Sequence, residues 1–294
     1  MPPSHRCRSV KEGDIMNTTS AILTNNLSLK AGYKYLLKDI TWEVKKGEHW
    51  IIFGMNGSGK TTLLSILAGY KQATSGSFSI LGDSYTQDNI LSLRQRIGWV
   101  SGSFFEQKYT KESALDIVLS GKTGALGRDS YRITDKDVKQ AKYLLKELHL
   151  STKIYQPFHM MSKGERQNTL IARALLSNPE ILLLDEPCTG LDILAREHFL
   201  NTLKDLAEKS NLTIIYVTHH TEEILLDVFE KTLLLKNGLQ FAQGDTKSLF
   251  TDEIFSRFLD AKAHITQRTY HGLEAKVESV SHIADLMKGV TNDD

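Results

Sequence analysis

The sequence predicts an α/β fold: a mainly parallel sheet on a phosphate-binding core, with an antiparallel β subdomain and a helical insertion. Three observations carry this prediction. A buried apolar run, Trp50 to Phe53, feeds a glycine-rich loop that opens an amphipathic segment. After Met160, apolar runs of strand length alternate with helical spacing, the pattern of a sheet with crossover helices. Between about residues 104 and 160, helical spacing stands alone.

The 294 residues suffice for one large domain or two modest ones. Apolar content of 40% and charged content of 24% are ordinary for a globular chain. A net charge of +1 argues for neither nucleic acid nor an anionic membrane as partner. Two cysteines, Cys7 and Cys188, make no disulfide framework, and a reduced, cytoplasmic setting is expected. No apolar run approaches the roughly 18 residues of a membrane span. Met1 to Asp14 is polar and basic without an apolar centre, so it is not a secretory signal; Met16 is an alternative start.

Each element follows in order. Residues 1–19 read as a polar, disordered tail. Ala21 to Leu29 and Leu36 to Val44 read as antiparallel strands, with Gly32 and Lys45-Lys46-Gly47-Glu48 as connections. Trp50 to Phe53 is a buried strand, and a helix runs on to Leu67, stopped by Gly69. Ser77 to Leu81 and Ile97 to Val100 are strands. In the insertion, Ser113 to Leu119 and Asp135 to Leu150 are helices around a glycine-rich loop, Gly121 to Arg128. Val138, Ala141, Leu144, Leu145 and Leu148 form one stripe, read as core. Beyond it come a helix from Arg166 to Leu176 and a doubly buried strand, Ile181 to Leu184. A helix from Leu194 to Lys209, a strand from Leu212 to Val217, a helix from Glu222 to Phe229 and a strand from Thr232 to Leu235 follow. Asn237-Gly238 turns the chain into Leu239 to Ala242. Past residue 245 a helical extension is expected, an extra helix or two and a frayed end, with Leu249, Ile254, Phe255 and Phe258 in one short helix.

The glycine loop carries the first chemistry. Gly54-Met55-Asn56-Gly57-Ser58-Gly59-Lys60-Thr61 fits the phosphate-loop pattern in full, between a strand and a helix. Glycines let backbone N–H groups approach phosphate oxygens, and the helix opening at Lys60 points its positive end at the same anion. Lys60 would reach the terminal phosphates, and Thr61 would ligate Mg²⁺ beside Thr62. A P-loop nucleoside-triphosphatase core is therefore expected. The plain alternative is a chance glycine turn.

Two further segments sharpen this. Asp185-Glu186 follows the buried strand, whose C-terminal end should lie beside the phosphate loop. Asp185 would hold Mg²⁺, and Glu186 would polarise a water for attack on the γ-phosphate. The alternative is a surface Asp-Glu-Pro turn. Met161-Ser162-Lys163-Gly164-Glu165-Arg166-Gln167 precedes a helix; it reads either as a capping box of Ser162 and Glu165 or as a second anion-binding N-terminus.

Taken together these segments resemble the nucleotide-binding domain of the ATP-binding cassette (ABC) family over about residues 20–245. Gly54 to Thr61 resembles its Walker A loop, Ile181 to Glu186 its Walker B strand with the adjoining glutamate, and Met161 to Gln167 its signature. Thr189-Gly190-Leu191-Asp192 resembles the D-loop, and Tyr216-Val217-Thr218-His219 the strand ending in the switch histidine. The resemblance implies two cassettes packed head to tail, each ATP held by the Walker A loop of one and the signature of the other. Ser162 and Gly164 would contact the γ-phosphate across that interface, with Lys163 adding charge, and His219 would pair with phosphate and water. His220 is expected to be a bystander. The wording around Cys188 and His220 looks closest to the molybdate-type branch.

Three departures stand out. Lys163 replaces the first signature glycine. Ala31 stands where the family often stacks an aromatic ring on adenine, leaving Tyr33 or Tyr35 to supply it. Gly102 stands where a Mg²⁺-sensing glutamine is expected, and Gln107 is the nearest downstream. The expected function is the ATP-hydrolysing subunit of an ABC transporter, serving a separate membrane permease. A soluble ABC ATPase acting on another macromolecule is the alternative, and a non-hydrolysing nucleotide switch is disfavoured by intact Lys60, Asp185, Glu186 and His219.

Overall fold

The computed structural model describes residues 20–109, 111–124, 133–209, 211–267 and 273–277. The sheet is built around the strands that read as uninterrupted apolar runs. β3 (His49–Phe53) pairs in parallel with β7 (Thr213–Thr218) on one side and β8 (Lys231–Lys236) on the other. β7 in turn pairs with β6 (Ile181–Asp185), and β6 with β5 (Ile97–Ser101), again in parallel. Every residue of β5, β6 and β7 is buried, because helices cover both faces of a parallel sheet.

The other side of the sheet is antiparallel. β1 (Ser20–Ala31) pairs with β2 (Lys34–Lys45) and with β4 (Ser75–Ile80). β2 joins the core through β9 (Leu239–Asp245), which makes a hairpin with β8. The order is β4-β1-β2-β9-β8-β3-β7-β6-β5. Here β2 alternates buried and exposed residues toward its end, the signature of a strand with one wet face.

Helices α1 (Lys60–Leu67), α2 (Ile90–Gln95) and α3 (Gly102–Phe105) flank β3 to β5. Gly69 ends α1 as expected: at φ 76° it allows Gly69 N–H to reach the Ile66 carbonyl and Tyr70 N–H to reach that of Ser65. The insertion holds α4 (Ala114–Ser120) and α5 (Asp135–Glu147). Ala141 and Leu145 of the predicted stripe are fully buried, and Val138, Leu144 and Leu148 pack against the same core. Thr134 caps α5 in a reciprocal box with Asp137, a signal the reading missed. The glycine-rich loop lies partly outside the described residues, and the N-terminal tail and the chain end lie wholly outside them. α6 (Lys163–Leu175) and α7 (Ile193–Lys209) return the chain to the sheet.

Two expectations fail. The helix expected over Glu222 to Phe229 is only a 3-10 turn, Thr221–Glu223. Glu223 is drawn inward to the Tyr216 and Thr218 hydroxyls, and Ile224 follows in an extended conformation (ψ 103°), which stops any helix. Ile224, Leu225, Val228 and Phe229 are buried all the same, so the apolar pattern reported burial and not helix.

The expected helical extension after residue 245 is also different. Two short helices, α8 (Thr246–Leu249) and α9 (Asp252–Leu259), precede a β-hairpin, β10 (Ala263–Gln267) with β11 (Leu273–Val277). Leu249 belongs to the first helix, and Ile254, Phe255 and Phe258 to the second. Thr251 caps α9 between them, accepting from Ile254 N–H. Phe250, Phe255 and Phe258 enclose Phe53, with ring centroids 5.4, 5.4 and 6.0 Å away.

Candidate nucleotide site

The loop between β3 and α1 is shaped by close approaches. A Cβ on Gly54 would lie 2.4 Å from the Leu235 carbonyl oxygen. One on Gly59, at φ 102°, would lie 2.9 Å from the Leu36 carbonyl oxygen. The β8–β9 hairpin buttresses the loop from outside. Asn237 and Gly238 both have positive φ, as a tight primed turn requires, and Gly238 N–H donates to the Ser58 carbonyl at 3.1 Å. Asn56, Gly57, Gly59, Lys60, Thr61 and Thr62 line one cavity, completed by Leu36, Ser103 and Glu186.

Lys60 is buried. Its Nζ donates to the carbonyls of Gly54 (2.7 Å) and Met55 (3.2 Å) and lies 3.1 Å from Glu186 Oε1. The same Oε1 is 3.0 Å from His219 Nδ1, so one carboxylate oxygen bridges two bases. Burial pushes the Glu186 carboxyl up, but Lys60 and His219 outweigh it and hold Glu186 below the usual carboxylate range. Glu186 also has φ 48°, rare for a residue with a side chain, and its N–H is tied to the Val217 carbonyl at 3.0 Å. Such strain persists only where the surroundings impose it.

Asp185 is held on both oxygens. Thr61 Oγ1 donates to Oδ1 at 3.0 Å, and Ser101 Oγ donates to Oδ2 at 2.9 Å. Burial pushes this carboxyl up, and the two hydroxyls hold it back in part. Thr61 and Asp185 form a compact pair of hard oxygen donors. Mg²⁺ takes one or two protein oxygens and completes its shell with phosphate and water, so this pair fits it. Among the described residues no group of three or more His, Cys, Asp or Glu offers a denser metal cage.

The family model for ABC transporters matches residues 37–189. YlmA of Bacillus subtilis, an ABC transporter ATP-binding protein, is 43% identical over 244 residues, covering 82% of this chain and 91% of its own. The chain belongs to the ABC transporter ATP-binding proteins. The molybdate import ATP-binding protein MolC of Haemophilus influenzae is 32% identical to this cassette, over 74% of the cassette and 79% of MolC. Among solved structures, a transporter described as metal-chelate type, inward-facing, matches at 27% identity and TM-score 0.71, over 89% of the cassette and 99% of that chain. A bacterial cassette solved as a dimer matches at 28% and TM-score 0.67, over 76% and 98%.

The cassette therefore brings together Gly54 to Thr62, Asp185, Glu186 and His219. It does not bring Ser162, Gly164, Glu165 or Asp192 to its own phosphate cavity. Ser162 caps α6 in the reciprocal box with Glu165: its Oγ accepts from Glu165 N–H at 3.2 Å, while Ser162 N–H donates to Glu165 Oε2 at 2.8 Å. Asp192 accepts from Ala195 N–H at 2.9 Å and caps α7. Lys163 lies in a neighbouring groove that also reaches Thr61, Asp185 and Glu186. Its stem passes over Gly190, where a Cβ would meet Lys163 Cδ at 2.7 Å. His220 pairs with Glu222 at 3.5 Å.

The departures also have places. Gly102 lines the groove beside Lys163, and exposed Gln107 lines neither cavity. Hydroxyls stand there instead: Ser103 borders both cavities, and its Oγ is 3.3 Å from that of Ser101. Tyr33 is fully exposed at the hairpin tip, and Tyr35, also exposed, has Lys30 Nζ over its ring, 4.4 Å from the centre. Of that hairpin only Leu36 lines the phosphate cavity. Ser101 was missed by the sequence reading, although a signal existed. It occupies the fifth place of β5, directly opposite Asp185 in the fifth place of the parallel strand β6.

Proposed function

We propose that this cassette hydrolyses ATP with Mg²⁺, as one of two head-to-tail copies, and thereby drives a separate membrane permease. The observation that carries the hydrolytic reading is Glu186, strained at positive φ and bracketed by Lys60 and His219 at the mouth of the phosphate cavity. The loop amides and Lys60 bind the β- and γ-phosphates, Lys60 exchanging its carbonyl contacts for phosphate oxygens. Glu186 accepts the proton of the attacking water, a task suited to a carboxylate held ionised. His219 turns Nδ1 to Glu186, which leaves Nε2 for the γ-phosphate. Thr61 and Asp185 hold Mg²⁺, which neutralises charge on the phosphate oxygens.

The paired arrangement is supported by what the single chain leaves apart. Ser162, Gly164, Glu165 and Asp192 serve a site only if they meet the phosphate loop of a second copy. Apolar side chains exposed beside these segments suit burial there: Met55 in the loop, Met160 before the signature, and Ile193 and Leu194 after Asp192. No helix among the described residues is long and apolar enough to cross a membrane, so transport requires spans on a partner chain. The cassette would then sit at the cytoplasmic face, bound through that permease. MolC and the energy-coupling factor protein EcfA1 of Streptococcus agalactiae both match at 32%, so the likeness bears on the motor and not on the cargo. Phosphate release by the purified chain tests the reading. Mg²⁺-dependent turnover that Glu186→Gln abolishes is expected; turnover unchanged by that substitution would remove Glu186 from the role.

A further inference from the structure

Below the Glu186–His219 contact lies a buried carboxyl that the mechanism above does not use. Glu223 is 2% exposed. Its Oε2 accepts from the Thr218 hydroxyl at 2.7 Å and from the Tyr216 hydroxyl at 2.8 Å. Both donors project from β7, the strand that delivers His219. Thr218 Oγ1 also accepts from the backbone N–H of His220 at 2.9 Å, so the peptide unit that follows His219 is pinned to this hydroxyl. On the other side, the Tyr216 hydroxyl lies 3.4 Å from Cys188 Sγ, and the Cys188 carbonyl accepts from Leu191 N–H at 3.1 Å. Thr218, Tyr216 and Cys188 are all buried.

The chain of contacts therefore runs from the turn after Glu186 to the turn that holds His219, and Glu223 sits at its centre. Two hydroxyls share one oxygen of Glu223 in a dry pocket, where an unmet donor costs far more than in water. Neither turn can shift without breaking a buried hydrogen bond. Glu223 itself does not line the phosphate cavity, so it acts through others.

We propose that Glu223 is a positioning residue for His219: its buried oxygen fixes the turn 218–220 and, through Tyr216, registers it against the segment 186–191. This rests on the reading of Glu186 and His219 as the water-activating pair. What the role needs is an acceptor and not a charge, because both hydrogen bonds to the Glu223 carboxylate are donated by hydroxyls. Glutamine supplies that acceptor through its amide oxygen; alanine does not. Thr218→Val removes the link to His220 N–H at nearly constant volume.

The test compares Glu223→Gln, Glu223→Ala and Thr218→Val in the full chain. It follows kcat and KM for ATP, and the His219 imidazole by ¹⁵N and ¹³C NMR without nucleotide. Glu223→Ala and Thr218→Val should lower kcat by roughly 10- to 100-fold with little change in KM, the loss expected from misplacement near the chemistry. Both should move the His219 imidazole signals, and Glu223→Gln should restore signals and kcat together. If Glu223→Ala fails to fold, Thr218→Val carries the comparison. His219 signals unmoved in the folded variants would overturn the proposal, as would a kcat that falls only with the folded fraction. Should the wild-type chain release no phosphate, the hydrolytic reading fails, and the imidazole signals still decide the role of Glu223.

Discussion

Lys60 Nζ and Glu186 Oε1 are 3.1 Å apart, which joins the phosphate loop to the end of β6 by an ion pair with one fully buried partner. On the proposed mechanism the two residues nevertheless have separable tasks. Lys60→Ala should weaken ATP binding by about 100-fold, as expected for loss of a buried charged contact, measured by titration with a fluorescent ATP analogue. Glu186→Gln should leave that affinity within a few-fold and lower kcat by roughly 10²- to 10⁴-fold. Equal losses of affinity in both variants would contradict the division of labour.

Arrest at Glu186 should also trap the assembly. With ATP and Mg²⁺ the Glu186→Gln chain should sediment as a dimer, because the ligand that ties two copies together is not consumed. With ADP it should sediment as a monomer. A monomer under both conditions would argue against a site shared between two copies.

Ser101→Ala should act on the cation. Loss of the hydroxyl removes the hydrogen bond that holds Asp185 Oδ2, so the carboxylate is less well oriented toward Thr61. The Mg²⁺ concentration needed for half-maximal nucleotide binding should rise several-fold, with binding in EDTA unaffected. An unchanged Mg²⁺ requirement would show that Thr61 alone orients Asp185.

Gly190 and Lys163 should prove coupled. Gly190→Ala places a side chain at φ 77° and against Lys163 Cδ, at a cost of about 1–2 kcal/mol. Lys163→Gly removes the clash but not the backbone cost, so the double variant should recover part of the loss. Thermal unfolding of the four proteins gives the coupling, and strict additivity would rule out the contact.

Stability should carry a pH dependence from Glu223. Burial raises its carboxyl above the ordinary range, partly countered by the Thr218 and Tyr216 hydroxyls. His220, Glu222 and Cys188 are the other titratable groups facing this pocket, and Arg196 and Glu197 lie on α7 beside Cys188. With the folded value raised, the unfolded chain loses its proton first as pH rises past about 4.3. Stability is therefore greatest below that point and declines until the folded carboxyl also ionises. Glu223→Gln cannot titrate, so its Tm should gain on that of the wild type between pH 4 and pH 7. A constant difference across that range would mean that Glu223 is not raised.

Much of the site could be read before the fold was known. Gly54 to Thr61 and Ile181 to Glu186 are contiguous, and their chemistry follows from local spacing and from where strand ends must lie in a parallel sheet. Ser101 and Glu223 were not legible in the same way. A serine after an apolar run is ordinary, and its importance depends on strand register with Asp185. Glu223 falls in the helix expected over Glu222 to Phe229, because a periodicity cannot tell a buried loop from a buried helix face. The end of the chain misled for a similar reason: Leu249 and Phe255 share one spacing pattern but sit in two helices separated by the Thr251 cap.

Phe53, the last residue before the phosphate loop, takes its packing from Phe250, Phe255 and Phe258. These rings are synthesised almost a whole domain later. At about 5–20 residues per second, the interval between Phe53 and Phe258 leaving the ribosome is about 10–40 s. Throughout that interval the strand that feeds the loop lacks its aromatic floor. The order of synthesis thus delays a rigid ATP cradle until Phe258 has emerged, and a nascent fragment carrying every nucleotide motif is still an unfinished engine.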